Sequence, residues 1–388
     1  MASKAGLTAT TIHVIPATNL APVPTPGTED YLKLAHTDHM LVAKWSAQNG
    51  WDTPHIKPYG ELGILPTSSC LHYATECFEG LKAYRGEDGK LRLFRPDQKG
   101  ERLEMSAKRA SLPTVQPDQL KHLIEKLLEL KAPSQMVAQD LPSPVPVYPT
   151  DHCGNRKPMS FGTPQEALLF IVAAPYPDIS KTIKARGQSS GLKLLVSPPG
   201  SARSWPGGVG YAKVGANYGP SLEAHNAAKA IGFDQVLWVF GDDQSVTEAG
   251  ASNFFIIWKN KQTQELELVT PTLNNHLILG GITRKSVLEL AKPRLSTSVG
   301  DLAPLKVSEV DFSMNDIEEA SDEGRIVECF VSGTAYFITP VSLIKTASAN
   351  IEIPVPENDQ SYAATIKAWL ESITYGLESH EWSYLVPG

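Results

Sequence analysis

Between Trp205 and Trp258 the chain crowds six small residues around one lysine. Gly207, Gly208, Gly210, Ala212, Gly215 and Ala216 enclose Lys213. Glycines of this kind let backbone approach closely whatever the loop holds. Regular elements are expected on its C-terminal side. Ser221 to Ile231 reads as a helix, with Gly232 placed to end it. Gln235 to Phe240 and Asn253 to Trp258 read as strands. The cluster is no dinucleotide fingerprint, because no strand leads tightly into it and no helix follows at once. It is no Walker loop either, since Val214 follows the lysine.

Tyr218 lies five residues beyond Lys213, and Glu248 lies thirty-five beyond it, between a strand and a turn. A lysine that forms a Schiff base needs close backbone, desolvation and a carboxylate for the cofactor's ring nitrogen. That set points to pyridoxal phosphate. Taken singly, each residue has a plainer role: a surface lysine, a half-buried tyrosine, a solvated turn acid. In register together they favour the chemistry.

The bulk properties narrow the field. A chain of 388 residues is long enough for two cores. A net charge of -7, with no basic run, argues against a nucleic-acid surface. No apolar run reaches the roughly eighteen residues of a membrane span. Cys70, Cys77, Cys153 and Cys329 have no zinc or CxxC spacing and read as free thiols in a reducing compartment. His152-Cys153 is a poor metal site, and no metal is expected. The N-terminus has no secretory apolar region. Cytoplasmic placement is expected, with a mitochondrial presequence as the alternative.

Residues 1 to 30 read as an extended Pro/Thr-rich arm. Leu71 to Thr75, Leu81 to Tyr84 and Leu91 to Phe94 have strand-like composition, the last two flanking a hairpin turn at Gly86 to Gly89. Pro117 opens a helix whose apolar face is Leu120, Leu123, Leu127 and Leu130. Ala167 to Ala173 is a buried strand. Leu192 to Val196 starts the second domain, Gly281 to Ala291 opens a helix, and Ile326 to Val331 is a strand. Strands and helices mix without strict alternation, so the fold class is α+β. The expected domains are 1–180 and 191–388, the second carrying Lys213, with a linker at 175–191 rich in Pro, Gly, Ser and Lys.

The Trp205–Trp258 stretch resembles the active-site signature of branched-chain aminotransferases, the class IV pyridoxal-phosphate enzymes. Further blocks resemble the same family in the same order: Ser68 to Gly86, Arg92 to Pro113, Leu279 to Leu290, Glu328 to Val341 and Ile373 to Ser383. The resemblance implies fold type IV, with two α/β domains, the cofactor at their interface, and a homodimer. It makes Lys213 the catalytic Schiff-base lysine and Glu248 the partner of the pyridine nitrogen. Tyr218 would bond the ring's 3′ oxygen. Arg95, Ile282, Thr283 and Thr334 would bind the phosphate or the substrate carboxylate. The turn Gly333-Thr334-Ala335 would meet the α-carboxylate, and Tyr73 and Tyr148 would line the pocket. The implied reaction moves an amino group between a branched-chain or related aliphatic amino acid and a keto acid. Alternatives are another transaminase or a lyase on the same scaffold, or a catalytically silent homologue.

One segment departs from the family pattern. Where the resemblance expects L-Y-I-R-P-T, this chain reads Val145-Pro146-Val147-Tyr148-Pro149-Thr150, so Tyr148 stands in place of an arginine. That arginine is associated with the side-chain carboxylate of glutamate. Losing it would weaken glutamate/2-oxoglutarate as the exchange pair, unless Arg156 or Lys157 substitutes. The prolines here favour an edge strand or irregular chain. The CxxC found after the GTA turn in some members is absent, with Tyr336 and Thr339 in its place.

Overall fold

The structure, a computed structural model, describes residues 6–18, 20, 36–130, 141–148 (backbone only), 162–174, 191–335, 337–356 and 360–387. The expected linker, Cys153, Arg156 and Lys157 lie outside them. The chain divides into two compact units. One comprises Met1–Asp178, Ala212–Ala216 and Ser372–Gly388; the other comprises Ile179–Tyr211 and Asn217–Glu371. Lys213 and the last seventeen residues thus group with the N-terminal part of the chain.

The first unit is built on a mixed sheet. Its elements are β1 (His13–Val14), β2 (His39–Ser46), β3 (Gly50–Trp51), β4 (His55–Pro58), α1 (Ser69–Tyr73), β5 (Cys77–Arg85), β6 (Leu91–Phe94), α2 (Pro96–Arg109), α3 (Pro117–Glu129), β7 (Leu141–Tyr148) and β8 (Glu166–Val172). The strand order is β1-β4-β2-β8-β7-β5-β6, with β3 beside β2. β5 and β6 form the expected hairpin. The Gly86 N–H donates to the Lys90 carbonyl at 3.0 Å, and Gly89 takes φ +72°. In α3, Leu120, Leu123 and Leu127 are buried, joined by Ile124 and Leu128. Leu130, counted on that face from its spacing, caps the helix and is 41% exposed. Gly100 lets α2 meet the start of α3: a Cβ there would lie 2.8 Å from the Pro117 Cα.

Two expectations fail here. Leu71 to Tyr73 is helical, in a five-residue turn that Ala74 ends in the left-handed region. The turn is too short for helical periodicity to register. Proline-rich β7 is not an edge strand; it runs between β5 and β8. Pro142, Pro144 and Pro146 fall on every second residue, so their missing N–H groups share one side. The intervening residues pair with β5 from Cys77↔Val147 to Ala83↔Leu141. Among the described residues, the pairing of β7 with β8 is Val147↔Leu169 and Tyr148↔Leu168.

The second unit carries β9 (Leu192–Val196), α4 (Leu222–Ala230), β10 (Gln235–Phe240), β11 (Ser245–Ala249), β12 (Ser252–Lys259), β13 (Leu266–Thr270), α5 (Ile282–Arg294), β14 (Lys306–Glu309), α6 (Met314–Asp322), β15 (Ile326–Gly333), β16 (Phe337–Lys345), β17 (Asn350–Glu352) and most of α7 (Tyr362–Thr374). The order is β11-β10-β9-β16-β15-β12-β13-β14, and β11 also pairs with β12. That last pairing closes six strands into a ring, which removes their edges. Leu194, Leu237, Phe254, Ile256, Val331 and Val341 fill its core. Gly232 follows α4 with φ +88°, as its position after the helix requires.

The chain ends in β18 (Ser383–Leu385), which pairs antiparallel with β6 in the first unit through Ser383↔Phe94.

Candidate functional site

Lys213 sits in the five-residue segment that packs with the first unit, and its main chain is held from two directions. Its carbonyl accepts the Phe78 N–H at 3.0 Å, and Val214 bridges to Cys77. Its own N–H donates to the Ser106 Oγ at 2.9 Å, and that hydroxyl donates to the Arg102 carbonyl at 2.8 Å. Strand β5 and helix α2 thus fix the lysine backbone between them. A Cβ at Gly215 would collide with the Glu76 carboxylate, so the small residue is required there. The lysine side chain is half-buried, with Nζ 4.2 Å from the centre of the Phe78 ring.

An ion cluster lies beside this loop. The Glu79 carboxylate, 1% exposed, accepts two bonds from Arg102, at 2.7 and 2.8 Å. Burial alone would raise its pKa. Arg102 and then Lys99 overcome that and hold it at about 2. The Cys77 thiol is pushed up to about 12 by burial and by Glu76 and Glu79, which leaves it inert. Arg95 caps α2 with φ +49°, a left-handed conformation that non-glycine residues seldom adopt. Trp382 holds it there: the Arg95 N–H donates to the Trp382 carbonyl at 2.8 Å, and the guanidinium lies 4.1 Å from the ring centre. Tyr73 is 40% exposed on α1, and Tyr148 is in register with Leu168.

The second unit gathers the other expected residues. Glu248 is not a solvated turn acid. It lies within β11, 1% exposed, and ion-pairs with Arg203. The Arg203 guanidinium also lies 5.7 Å from the centre of the Tyr218 ring. Asn253 joins Glu248 to the remaining parts. The two residues are opposite one another across β11 and β12, and the amide donates to Glu248 at 3.4 Å and to the Leu279 carbonyl at 3.0 Å. Its side-chain oxygen lies where a Cβ on Gly281 would stand, directly before α5. In the other direction Asn253 is in register with Ser332, at the end of β15 just before Gly333-Thr334-Ala335. The Asn253 amide therefore ties the acid to the segment before the helix start, and its main chain lies level with the residue before the GTA turn.

Helix α5 begins at Gly281 with no side-chain cap, and Ile282 and Thr283 are buried in its first turn. Uncapped first-turn N–H groups are suited to an anion. Arg284 secures the turn by donating to the Pro271 carbonyl at 2.7 Å and to Glu309 at 2.6 Å. Among the described residues, both polar atoms of the buried Asn217 amide and the Ser332 hydroxyl lack a hydrogen-bond partner. Buried polar atoms left in this way are candidates for contact with a bound molecule. Within the second unit, a buried acid and an uncapped helix start are groups suited to the ring nitrogen and the phosphate of a phosphorylated carbonyl cofactor; the first unit holds a half-buried amine of the kind that takes its aldehyde.

Arg203, Asn253, Asn217 and Arg102 were not among the residues singled out from sequence. Asn253 leaves a trace there, as a polar residue opening the apolar run Phe254 to Trp258. Arg203 leaves none, because it meets Glu248 only through the folded chain.

The family model described as amino-transferase class IV matches residues 76–344. The cytosolic branched-chain-amino-acid aminotransferase of Saccharomyces cerevisiae is 37% identical over 377 residues, covering 96% of each chain. The mitochondrial one of Schizosaccharomyces pombe is 38% identical over 351 residues, covering 89% of this chain and 78% of its own. Among solved structures, the branched-chain amino acid aminotransferase of Thermobaculum terrenum in its PLP-form superposes with a TM-score of 0.68 at 21% identity, over 91% of this chain and 100% of that one.

Proposed function

The chain belongs to the class IV aminotransferases, and from that premise we propose that it transfers the amino group between branched-chain or related aliphatic L-amino acids and a keto acid. It is an enzyme whose cofactor is pyridoxal phosphate. The observation that carries the proposal is the double grip on the Lys213 backbone, which presents one half-buried amine from a fixed loop.

When bound, pyridoxal phosphate supplies an aldehyde to receive the amino group and a ring to spread the electrons released at the substrate carbon. The chain's own residues hold and orient it. Lys213 would hold the aldehyde and carry the proton at its Nζ. Glu248 would face the ring nitrogen, with Arg203 and Asn253 fixing the carboxylate. Tyr218 would bond the 3′ oxygen. Arg95, the Ile282 and Thr283 N–H groups and Thr334 would bind the phosphate. Gly333, Thr334 and Ala335 would meet the substrate carboxylate, and Tyr73 and Tyr148 would line the pocket. A homodimer in the cytosol completes the proposal; no helix among the described residues is long and apolar enough to cross a membrane.

Tyr148 stands where the family resemblance expects an arginine, so monocarboxylic keto acids should compete well with 2-oxoglutarate as acceptors. Purified enzyme should transaminate leucine, and Lys213→Ala should lower that rate by about a thousandfold or more while abolishing the cofactor's visible band. Full activity in the alanine variant would refute the assignment. A strict requirement for 2-oxoglutarate would refute the acceptor preference alone.

A further inference from the structure

One buried hydroxyl of the second unit carries a cost that its surroundings do not offset. Ser332 is 0% exposed, and its Oγ has no hydrogen-bond partner among the described residues. A hydroxyl buried in this way costs free energy that an alanine at the same place would avoid. Strand register shows where the group lies. Glu248 on β11 stands opposite Asn253 on β12, and Asn253 stands opposite Ser332 on β15. Residues opposite one another in antiparallel strands share a face, so the three side chains form one row across the sheet. Neither neighbour serves the hydroxyl. The Asn253 amide donates to Glu248 and to the Leu279 carbonyl, and beyond Ser332 the row continues to Ile338, which is apolar. Two expected anion contacts adjoin the Asn253–Ser332 end of the row. Gly333-Thr334-Ala335 follows Ser332 directly, and Leu279 stands two residues before Gly281, the uncapped start of α5.

We propose that Ser332 is a further cofactor-binding residue, whose hydroxyl donates to the phosphate of pyridoxal phosphate. This role rests on the proposed reading in which Glu248 faces the ring nitrogen and the start of α5 faces the phosphate. Neighbouring strands lie about 4.8 Å apart, so Ser332 stands about 10 Å along the row from Glu248. The cofactor's phosphate hangs from a ring carbon that is not bonded to the nitrogen, so a ring seated at Glu248 carries its anion away from the acid. The 3′ oxygen is taken by Tyr218 in that reading, which leaves the phosphate as the acceptor. A hydroxyl that donates to an anion makes a short, strong bond, and the bond would satisfy the one polar atom of this row that the fold leaves unpaired.

The test uses apoenzyme of wild type, Ser332→Ala and Ser332→Cys. Each is dialysed to equilibrium against pyridoxal phosphate and, separately, against pyridoxal, which lacks the phosphate. Urea unfolding of each apoenzyme is recorded alongside. Ser332→Ala should weaken pyridoxal phosphate binding by about tenfold or more, the usual loss for a hydrogen bond to a charged group. Pyridoxal should bind the two proteins within about twofold of one another, and the urea midpoint of the apoenzyme should hold or rise, because no partner is lost. Unchanged affinity for pyridoxal phosphate overturns this role alone. A loss shared by pyridoxal, or a lowered apoenzyme midpoint, marks a structural hydroxyl and also overturns it. A wild type that binds no pyridoxal phosphate overturns the proposed function, and this role with it. If Ser332→Ala does not fold, Ser332→Cys decides on the same readings, because a thiol of similar size is only a weak donor.

Discussion

The two units set their candidate residues by different means. Around Lys213 the first unit concentrates charge: Glu79, Lys99, Arg102 and Lys82 are all nearly buried in an open sheet and its covering helix. Around Glu248 the second unit uses one ion pair, one amide and main-chain groups inside a closed ring of strands. The contrast follows from the work proposed for each. A lysine presented from a loop needs neighbours that pin its main chain, and strand β5 and helix α2 supply them. An acid facing a ring nitrogen needs a fixed position, which a ring without strand edges provides.

The comparison is tested hardest by Arg102→Leu. That change strands the buried Glu79 carboxylate, and the usual cost of an uncompensated buried charge is roughly 3–5 kcal/mol. Urea unfolding should read a loss of that size. Hydrogen exchange should quicken in β5 and α2 while β11 and β12 keep their protection. Acid should reach the same cluster. The Glu79 pKa is about 2 in the folded chain, against an ordinary 4.5. Its contribution is therefore complete above about pH 4.5 and is lost as the pH falls toward about 2, amounting to about 3 kcal/mol. Urea curves for wild type and Glu79→Gln should converge across that window, and parallel curves would contradict the assignment. The smallest effect belongs to the second unit. Asn253→Ala removes the amide that ties Glu248 to the Leu279 carbonyl, at a cost of about 1–3 kcal/mol. Exchange should then quicken at the start of α5 and leave α2 unchanged.

Local pattern revealed much of the scaffold. β6 and β10 fall where their apolar runs placed them, and Pro117 and Gly232 mark helix ends as their backbone preferences require. What stayed hidden depends on pairing across distance. The central position of β7 arises because three prolines at alternate residues leave one row of donors intact, which composition alone does not show. The grouping of Lys213 with the first unit comes from hydrogen bonds to residues more than a hundred positions away. Glu248 was legible as an acid near the lysine, but its partners Arg203 and Asn253 were not. The spacing of Lys99, Arg102 and Ser106 is plain in the sequence; the opposing acid on β5 is not.

The Trp382 contact with Arg95 has a consequence for biogenesis. Residue 95 leaves the ribosome long before residue 382, and until then the β6 rim has no neighbour and the strained arginine has no ring to rest on. The N-terminal portion of a nascent chain therefore carries an open strand rim until β18 has been made, the kind of rim that invites wrong partners. A chain cut before Trp382 and β18 would keep that rim open and leave Arg95 without its ring, unfinished from its first hundred residues onward.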